Sequence, residues 1–161
     1  MQKRWVVFSV AAMLFSAAIS IPAARGAMNK DASEKIIRME REALERWIHG
    51  DPDGVLALYD PEIVYFDPFQ PQRLNGFDKV RDYYNSFRGQ VQFDRYELIE
   101  PEVQIDGNMA VLTFNFVSYK GAEENRWNAT EVYRLSNNQW RIIQSHWSLT
   151  QPNLAAPDKK Q

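Results

Sequence analysis

Asp67 is a carboxylate at the end of an otherwise apolar run, Ile63-Val64-Tyr65-Phe66, and Pro68 follows it. The run is rich in β-branched and aromatic residues, which predicts a buried strand. An ionised carboxylate is costly there unless it is paired, hydrogen-bonded or open to a cavity. Pro68 has no N–H to donate to a neighbouring strand, so the predicted strand ends at Asp67. Two interpretations stay open: a general base at the mouth of a pocket, or an Asx-type turn whose carboxylate accepts local N–H groups.

Glu131 is a second acid with unusual surroundings. Strand alternation puts it on one face with four apolar or aromatic residues, Trp127, Ala129, Tyr133 and Leu135. An unpaired carboxyl on such a face has a raised pKa, so it could donate a proton or form an acid/base pair with Asp67. The alternative is a salt bridge to Arg95 or Arg126.

The histidines and the known motifs add little chemistry. Strict alternation along the last strand places Trp140, Gln144 and His146 opposite Trp147, which favours an outer-face or interface position for His146. His49 ends a helix, where its charge is favourable. The sequence has no HExxH, calcium loop, GxGxxG, P-loop or GxSxG motif, so we expect no metal and no cofactor.

The first 26 residues have the pattern of a secretory signal. Basic residues open it, an apolar stretch follows, and small residues between Ala23 and Ala27 suit cleavage; an uncleaved anchor is the alternative. We therefore expect a periplasmic or secreted protein, without membrane contact after cleavage. Loss of this segment leaves 16 basic and 21 acidic residues, a net charge of −5, which argues against nucleic acid as a partner.

The remaining chain predicts one α+β domain over residues 31–150, followed by a loose polar tail, 151–161. We expect a helix from near Ser33 to Gly50, a short helix from Asp51 to Tyr59, the strand that ends at Asp67, and a helix that carries Tyr84 and Phe87. Four antiparallel strands then follow over 91–105, 109–119, 126–135 and 140–149, the first interrupted at Pro101. Helices packed on one face of a curved antiparallel sheet would form a cone around a pocket.

Several of these features resemble the SnoaL-like domains of the NTF2-like superfamily. They are Gly50-Asp51 after the first helix, Tyr59, the Tyr65-Phe66-Asp67-Pro68 strand end, Gly76 before the third helix, and the closing strands from Glu131 to Ser148. The resemblance covers about residues 33–150. Two branches are most similar: the ketosteroid isomerases, and the association domain of calcium/calmodulin-dependent kinase II. The superfamily includes many chemistries and many non-enzymes, so the fold follows more firmly than the function.

The isomerase resemblance implies roles for individual residues. It makes Asp67 the catalytic base and Glu131 the carboxylic-acid donor to an oxyanion, with supporting tyrosines at Tyr59 and Tyr84 and a pocket tryptophan at Trp147. The family's main oxyanion tyrosine falls on Ala43 here, a loss worth several kcal/mol of transition-state stabilisation. We therefore expect a related acid/base reaction on a small apolar carbonyl or epoxide rather than steroid isomerisation.

The kinase resemblance implies a different function. Cavity arginines of that family fall on Phe116, Glu131 and Trp147, so an anionic ligand is disfavoured. Two functions stay open. The first is a pocket for a small apolar molecule, walled by Tyr59, Tyr65, Tyr84, Phe87, Phe116 and Trp147, in which Asp67 and Glu131 carry out isomerase, dehydratase or hydrolase chemistry. The second is a non-catalytic module that forms a homodimer through its sheet face.

Overall fold

The computed structural model describes residues 21–150. Most of the expected signal segment and the whole expected tail, 151–161, lie outside the described residues. Three helices come from the first half: α1 (Ile21–Ile48), α2 (Asp53–Leu56) and α3 (Phe77–Asn85). The predicted start of α1 near Ser33 was wrong. Ser33 lies inside the helix, and its hydroxyl donates to the Asn29 carbonyl at 2.9 Å, one turn back.

Six strands form one sheet: β1 (Tyr59–Phe66), β2 (Leu74–Asn75), β3 (Arg95–Asp106), β4 (Met109–Lys120), β5 (Glu123–Ser136) and β6 (Gln139–Leu149). Their order across the sheet is β2-β1-β6-β5-β4-β3. The α+β class and the NTF2-like cone are confirmed. The sheet is not wholly antiparallel, because β1 and β6 run parallel. The short strand β2, which pairs with β1, was missed.

The second helix is shorter than predicted, and β1 begins earlier. Tyr59 pairs with Ile142 of β6, so it belongs to the sheet rather than to a helix. The β1–β6 register then shifts between Tyr59 and Val64, around Pro61, which has no N–H to give to a ladder. Pro101 has a similar effect in β3, where the register shifts between Ile99 and Glu102 as the predicted interruption required.

A bulge in β6 overturns the predicted position of Trp140. Tyr133 pairs with Ile142, but Val132 pairs with Gln144, so Ile143 is an extra residue. An extra residue reverses the alternation of side chains beyond it. Trp140 and Ile142 are therefore buried in the core on the same side as Trp147. Of the predicted outer residues, only His146 is exposed.

The helices cover the inner face of the sheet and leave a cavity beneath them. Helix α1 packs against β3 and β4, and α3 packs against β1. Gly50 closes α1 with φ 80°, and its carbonyl accepts the Gly89 N–H at 2.8 Å. A Cβ at Gly50 would lie 2.9 Å from the Val91 carbonyl oxygen, so the close approach requires glycine. This contact fixes the segment after α3, which helps to line the cavity.

Candidate functional site

The site is an aromatic cavity of about 210 Å³ between the helices and the sheet. Ten of its sixteen lining residues are aromatic, and none is basic. The lining residues are Glu40, Leu44, Trp47, Val55, Tyr65, Asp67, Phe69, Tyr83, Tyr84, Phe87, Val91, Phe93, Phe116, Ser118, Trp127 and Trp147. Such a wall suits a ligand that is mostly apolar and is oriented by a few polar groups.

Asp67 lines this cavity and also forms the predicted Asx-type turn. The Phe69 N–H donates to its Oδ1 at 2.8 Å, which is the turn contact. The Tyr83 hydroxyl donates to the same oxygen at 3.0 Å, and the Tyr65 hydroxyl donates to Oδ2 at 3.0 Å. The two interpretations of the sequence are therefore compatible, because the turn orients the carboxylate and two tyrosines hold it at the cavity. Burial and the Asp67 charge raise the pKa of Tyr83 to about 12, so its hydroxyl stays a donor.

A chain of tyrosine hydroxyls leads inward from Asp67. Tyr84 donates to Tyr65 at 3.2 Å, and the hydroxyls of Tyr59 and Tyr84 lie 2.9 Å apart. Each hydroxyl has one proton, so Tyr59 donates to Tyr84 and every proton in the chain points toward Asp67. Tyr84 lines the cavity as predicted, but Tyr59 does not, because it is buried behind Tyr84.

Glu131 lies behind the cavity wall rather than in it. Its side chain is 1% exposed and is absent from the cavity lining. The alternative prediction, a salt bridge between Glu131 and Arg95 or Arg126, was also wrong. Arg95 pairs with Glu97, and Arg126 pairs with Glu124. Glu131 instead accepts a hydrogen bond from Ser145 at 3.0 Å and contacts the Tyr133 hydroxyl at 3.3 Å.

Glu40, on α1, is the acid that reaches the cavity beside Glu131. It is 2% exposed, lines the cavity, and accepts the Tyr133 hydroxyl at 2.9 Å. Glu40 is not among the site residues predicted from the sequence. The signal was present, because Glu40 falls at helical spacing between Ile36 and Leu44 on the apolar face of α1. A charge in that position has to be buried.

The two buried glutamates are in contact, and each affects the pKa of the other. Burial raises the pKa of Glu131 well above its ordinary value, and the adjacent Glu40 raises it further by repulsion and by a direct hydrogen bond. Burial also raises the pKa of Glu40, while hydrogen bonds from Glu131 and Tyr133 partly offset the effect. Two buried carboxylates in contact repel each other, so the pair keeps a proton where an exposed glutamate has lost one.

Two further polar groups connect the wall with this pair. The Trp147 indole N–H donates to the Ser145 hydroxyl at 3.1 Å, and Ser145 donates to Glu131, so the wall is hydrogen-bonded to the buried acid. Ser118 also lines the cavity, is fully buried, and its hydroxyl has no hydrogen-bond partner within residues 21–150. A buried hydroxyl without a partner is costly, which marks Ser118 as a place for a polar ligand atom.

The other predicted wall residues and the histidines are placed as follows. Tyr65, Phe87, Phe116 and Trp147 all line the cavity. Ala43 does not line it, because it is buried against Gly54 of α2. His146 stands on the outer face, with its ring 5.5 Å from that of Phe66, and His49 lies 3.4 Å from Glu45 at the end of α1.

Within the described part of the chain, no group of three or more acidic or histidine side chains could hold a metal ion. No helix among residues 21–150 is long and apolar enough to cross a membrane.

The cone, its helical cover and its lined cavity define an NTF2-like protein. Residues 38–152 match the model of a SnoaL-like domain, and the chain therefore belongs to the SnoaL-like family. A candidate ketosteroid isomerase from Parabacteroides distasonis is 41% identical, with 74% of this chain and 89% of that chain covered and a TM-score of 0.68. No curated protein matches the chain.

Two more distant structures share the fold alone. The association domain of CaMKII from C. elegans is 17% identical, with 74% of this chain and 96% of that chain covered and a TM-score of 0.63. A candidate dehydratase of the NTF2-like family from Streptomyces avermitilis is 19% identical, with 76% of this chain and 99% of that chain covered and a TM-score of 0.63.

Proposed function

We propose that this protein binds a small, largely apolar molecule in the aromatic cavity and acts on it by acid/base chemistry of isomerase or dehydratase type. The observation that carries the proposal is that two acids, Asp67 and Glu40, line one aromatic cavity. The 41% identity to a candidate ketosteroid isomerase supports the reaction class.

Asp67 is the proposed general base. Three donors fix its carboxylate, which leaves its remaining lone pairs to accept a proton from a substrate carbon or from water. Loss of that proton makes a negative charge develop on a substrate oxygen, and this charge needs a hydrogen-bond donor. Ala43 supplies none, so the proton shared by Glu40 and Glu131 is the proposed donor. Glu40 faces the substrate, whereas Glu131 acts through Glu40 as a positioning residue.

The experiment is turnover of a panel of β,γ-unsaturated ketones, from monocyclic to steroidal, followed by the absorbance of the conjugated product. Asp67→Asn should lower kcat by about 10²- to 10⁴-fold, the usual contribution of a positioned base. Asp78→Asn, which changes an exposed aspartate on α3, is the matched control and should leave the rate unchanged. Equal rates and equal pH–rate profiles for wild type and Asp67→Asn would remove Asp67 from the mechanism.

A second candidate function is association through the outer sheet face. Phe66 is 40% exposed, and it contacts His146 on that face. Structures of the same fold include kinase association domains. Sedimentation at micromolar concentration should then give a homodimer that Phe66→Lys dissociates. A monomeric wild type would rule out this function.

We also propose that the protein is exported through residues 1–26 and works in the periplasm or outside the cell. The support is the basic, apolar and small-residue pattern of that segment. Fractionation of cells that express the full chain with a C-terminal tag should recover a mature form whose mass fixes the cleaved bond. Recovery of the intact chain from the cytosol would contradict export.

A further inference from the structure

Ser118, on β4, brings an unpaired hydroxyl group to the aromatic cavity. Its side chain is fully buried, and its Oγ has no hydrogen-bond partner among residues 21–150. We infer that Ser118 is a specificity-determining residue, which binds a second, uncharged oxygen function of the ligand at the end of the cavity away from Glu40. This inference rests on the proposed function, and it adds the substrate class: an apolar body with an oxygen function at each end.

A comparison with Ser145 shows that the hydroxyl of Ser118 does not serve the fold. Ser145 is the other buried serine of the described chain. Its hydroxyl donates to Glu131 at 3.0 Å and accepts the Trp147 indole N–H at 3.1 Å. A buried hydroxyl without such partners destabilises the folded protein. An oxygen atom of a bound ligand would remove that cost, and stability lost for the sake of binding is common at functional sites.

Ser118 and Glu40 lie far apart along the cavity. Residues 93–94 donate one backbone N–H to the Ile48 carbonyl at 2.9 Å and the other to the Tyr119 carbonyl at 2.8 Å. Ser118 therefore lies level with the last residue of α1. Glu40 is just over two turns earlier, which is about 12 Å along the helix axis.

The register of β4 gives the same order. Leu112 pairs with Glu131, which belongs to the buried carboxyl pair, and Ser118 lies further along the same strand. Strand alternation puts Phe114 and Phe116 between these two positions on the inner face, and both rings are buried. The apolar body of the ligand therefore lies against aromatic side chains between two polar ends.

The surroundings of Ser118 decide which polar group it binds. A hydroxyl can donate one hydrogen bond and accept others, so it suits a carbonyl or a hydroxyl oxygen. The cavity lining has no lysine, arginine or histidine to neutralise a carboxylate or a phosphate, and a buried ion without a counter-charge is costly. The other oxygen of the ligand is the one that receives the hydrogen bond from the carboxyl pair in the proposed reaction.

The test compares 4,4′-dihydroxybiphenyl with 4-hydroxybiphenyl by titration calorimetry. The two probes have the same rigid frame, but only the first has an oxygen at each end. We expect the first to bind about five-fold or more tightly because of one added hydrogen bond, whereas its two equivalent ends alone would give only about two-fold. The pair 2,6-dihydroxynaphthalene and 2-naphthol repeats the comparison over a shorter span.

Equal affinities within both pairs of probes would overturn the inference about Ser118 and would leave an apolar ligand site intact. Absence of binding by all four probes would overturn the ligand site as well, and with it the proposed function.

Two variants locate the group that causes the preference. Ser118→Ala should reduce the advantage of 4,4′-dihydroxybiphenyl to about two-fold and leave the affinity for 4-hydroxybiphenyl unchanged, because only the hydrogen bond of the second oxygen is lost. Ser136→Ala, which changes an exposed serine at the end of β5, is the control and should keep the full preference. A full preference in Ser118→Ala would show that another group binds the second oxygen.

Urea denaturation without any ligand tests whether the hydroxyl is free. Ser118→Ala removes an unpaired buried hydroxyl, so the midpoint of unfolding should rise. Ser145→Ala removes a hydroxyl that has two partners, so its midpoint should fall. A midpoint for Ser118→Ala below that of wild type would mean that the hydroxyl already has a partner in the fold, and would overturn the inference.

Discussion

The cavity has two acidic regions that differ in almost every physical respect. At its mouth, Asp67 follows a strand end and accepts hydrogen bonds from one backbone N–H and two tyrosine hydroxyls. In its interior, Glu40 and Glu131 are almost fully buried and share one tyrosine, Tyr133. At the mouth, three hydrogen-bond donors serve one carboxylate. In the interior, two carboxyl groups share one tyrosine hydroxyl.

In the reaction that we propose, this difference sets the direction of proton transfer. A carboxylate with several donors and access to the cavity is suited to accept a proton from a substrate. A buried carboxyl pair keeps a proton and is suited to donate a hydrogen bond. The tyrosine chain lies between the two regions, because Tyr84 is close enough for the charges of both Glu131 and Asp67 to raise its pKa, after burial itself.

The largest expected effect is on the interior. Tyr133→Phe removes the hydroxyl shared by Glu40 and Glu131, and should lower the free energy of unfolding by about 2–3 kcal/mol at neutral pH. Urea denaturation measures this loss. A variant as stable as wild type would contradict the contrast between mouth and interior, because the two carboxyl groups would then have other hydrogen-bond donors.

The second-largest expected effect is on how the stability of the interior depends on pH. The pKa of Glu131 is raised in the folded protein. Its contribution to the free energy of unfolding is therefore complete below the pKa of an unfolded glutamate, and it is lost as the pH rises through the pKa of the folded protein. Glu131→Gln should therefore gain stability relative to wild type between pH 4 and pH 8, by on the order of 1 kcal/mol. Thermal unfolding at each pH measures it. Glu45→Gln, an exposed control on α1, should show no such trend, and a flat difference for Glu131→Gln would contradict the shared proton.

The smallest expected effect is at the mouth. Tyr83→Phe removes one of three donors to Asp67, and Phe69 and Tyr65 still hold the carboxylate. We expect a loss of about 0.5–1 kcal/mol in the free energy of unfolding, the usual net value of one hydrogen bond. Urea denaturation beside Tyr133→Phe gives the contrast directly. A loss equal to that of Tyr133→Phe would mean that the two regions are equally constrained.

The fold could be predicted from the sequence where patterns were local. The order of the three helices and the five longer strands, the buried face of β5 and the strand end at Asp67 follow from residue types and alternation. The predicted face of Trp140 failed because the extra residue at Ile143 is set by pairing with β5. The parallel pairing of β1 with β6 also depends on partners distant in the chain.

The site was predicted only in part for a related reason. Strand alternation showed that Glu131 faces inward but not how deep it lies. Glu40 was not predicted, although it lies at helical spacing between the apolar residues Ile36 and Leu44. A charge within an apolar stripe is the signal that Glu40 in a helix and Glu131 in a strand have in common.

The most direct test is a titration of the side-chain carboxyl groups by ¹³C NMR. Glu40→Gln and Glu131→Gln assign the two resonances. The shared-proton arrangement predicts that both glutamates titrate above the range of the exposed glutamates, in coupled steps, and that each variant shifts the titration of the remaining partner. Independent titration of Glu40 and Glu131 within the range of the exposed glutamates would contradict the account.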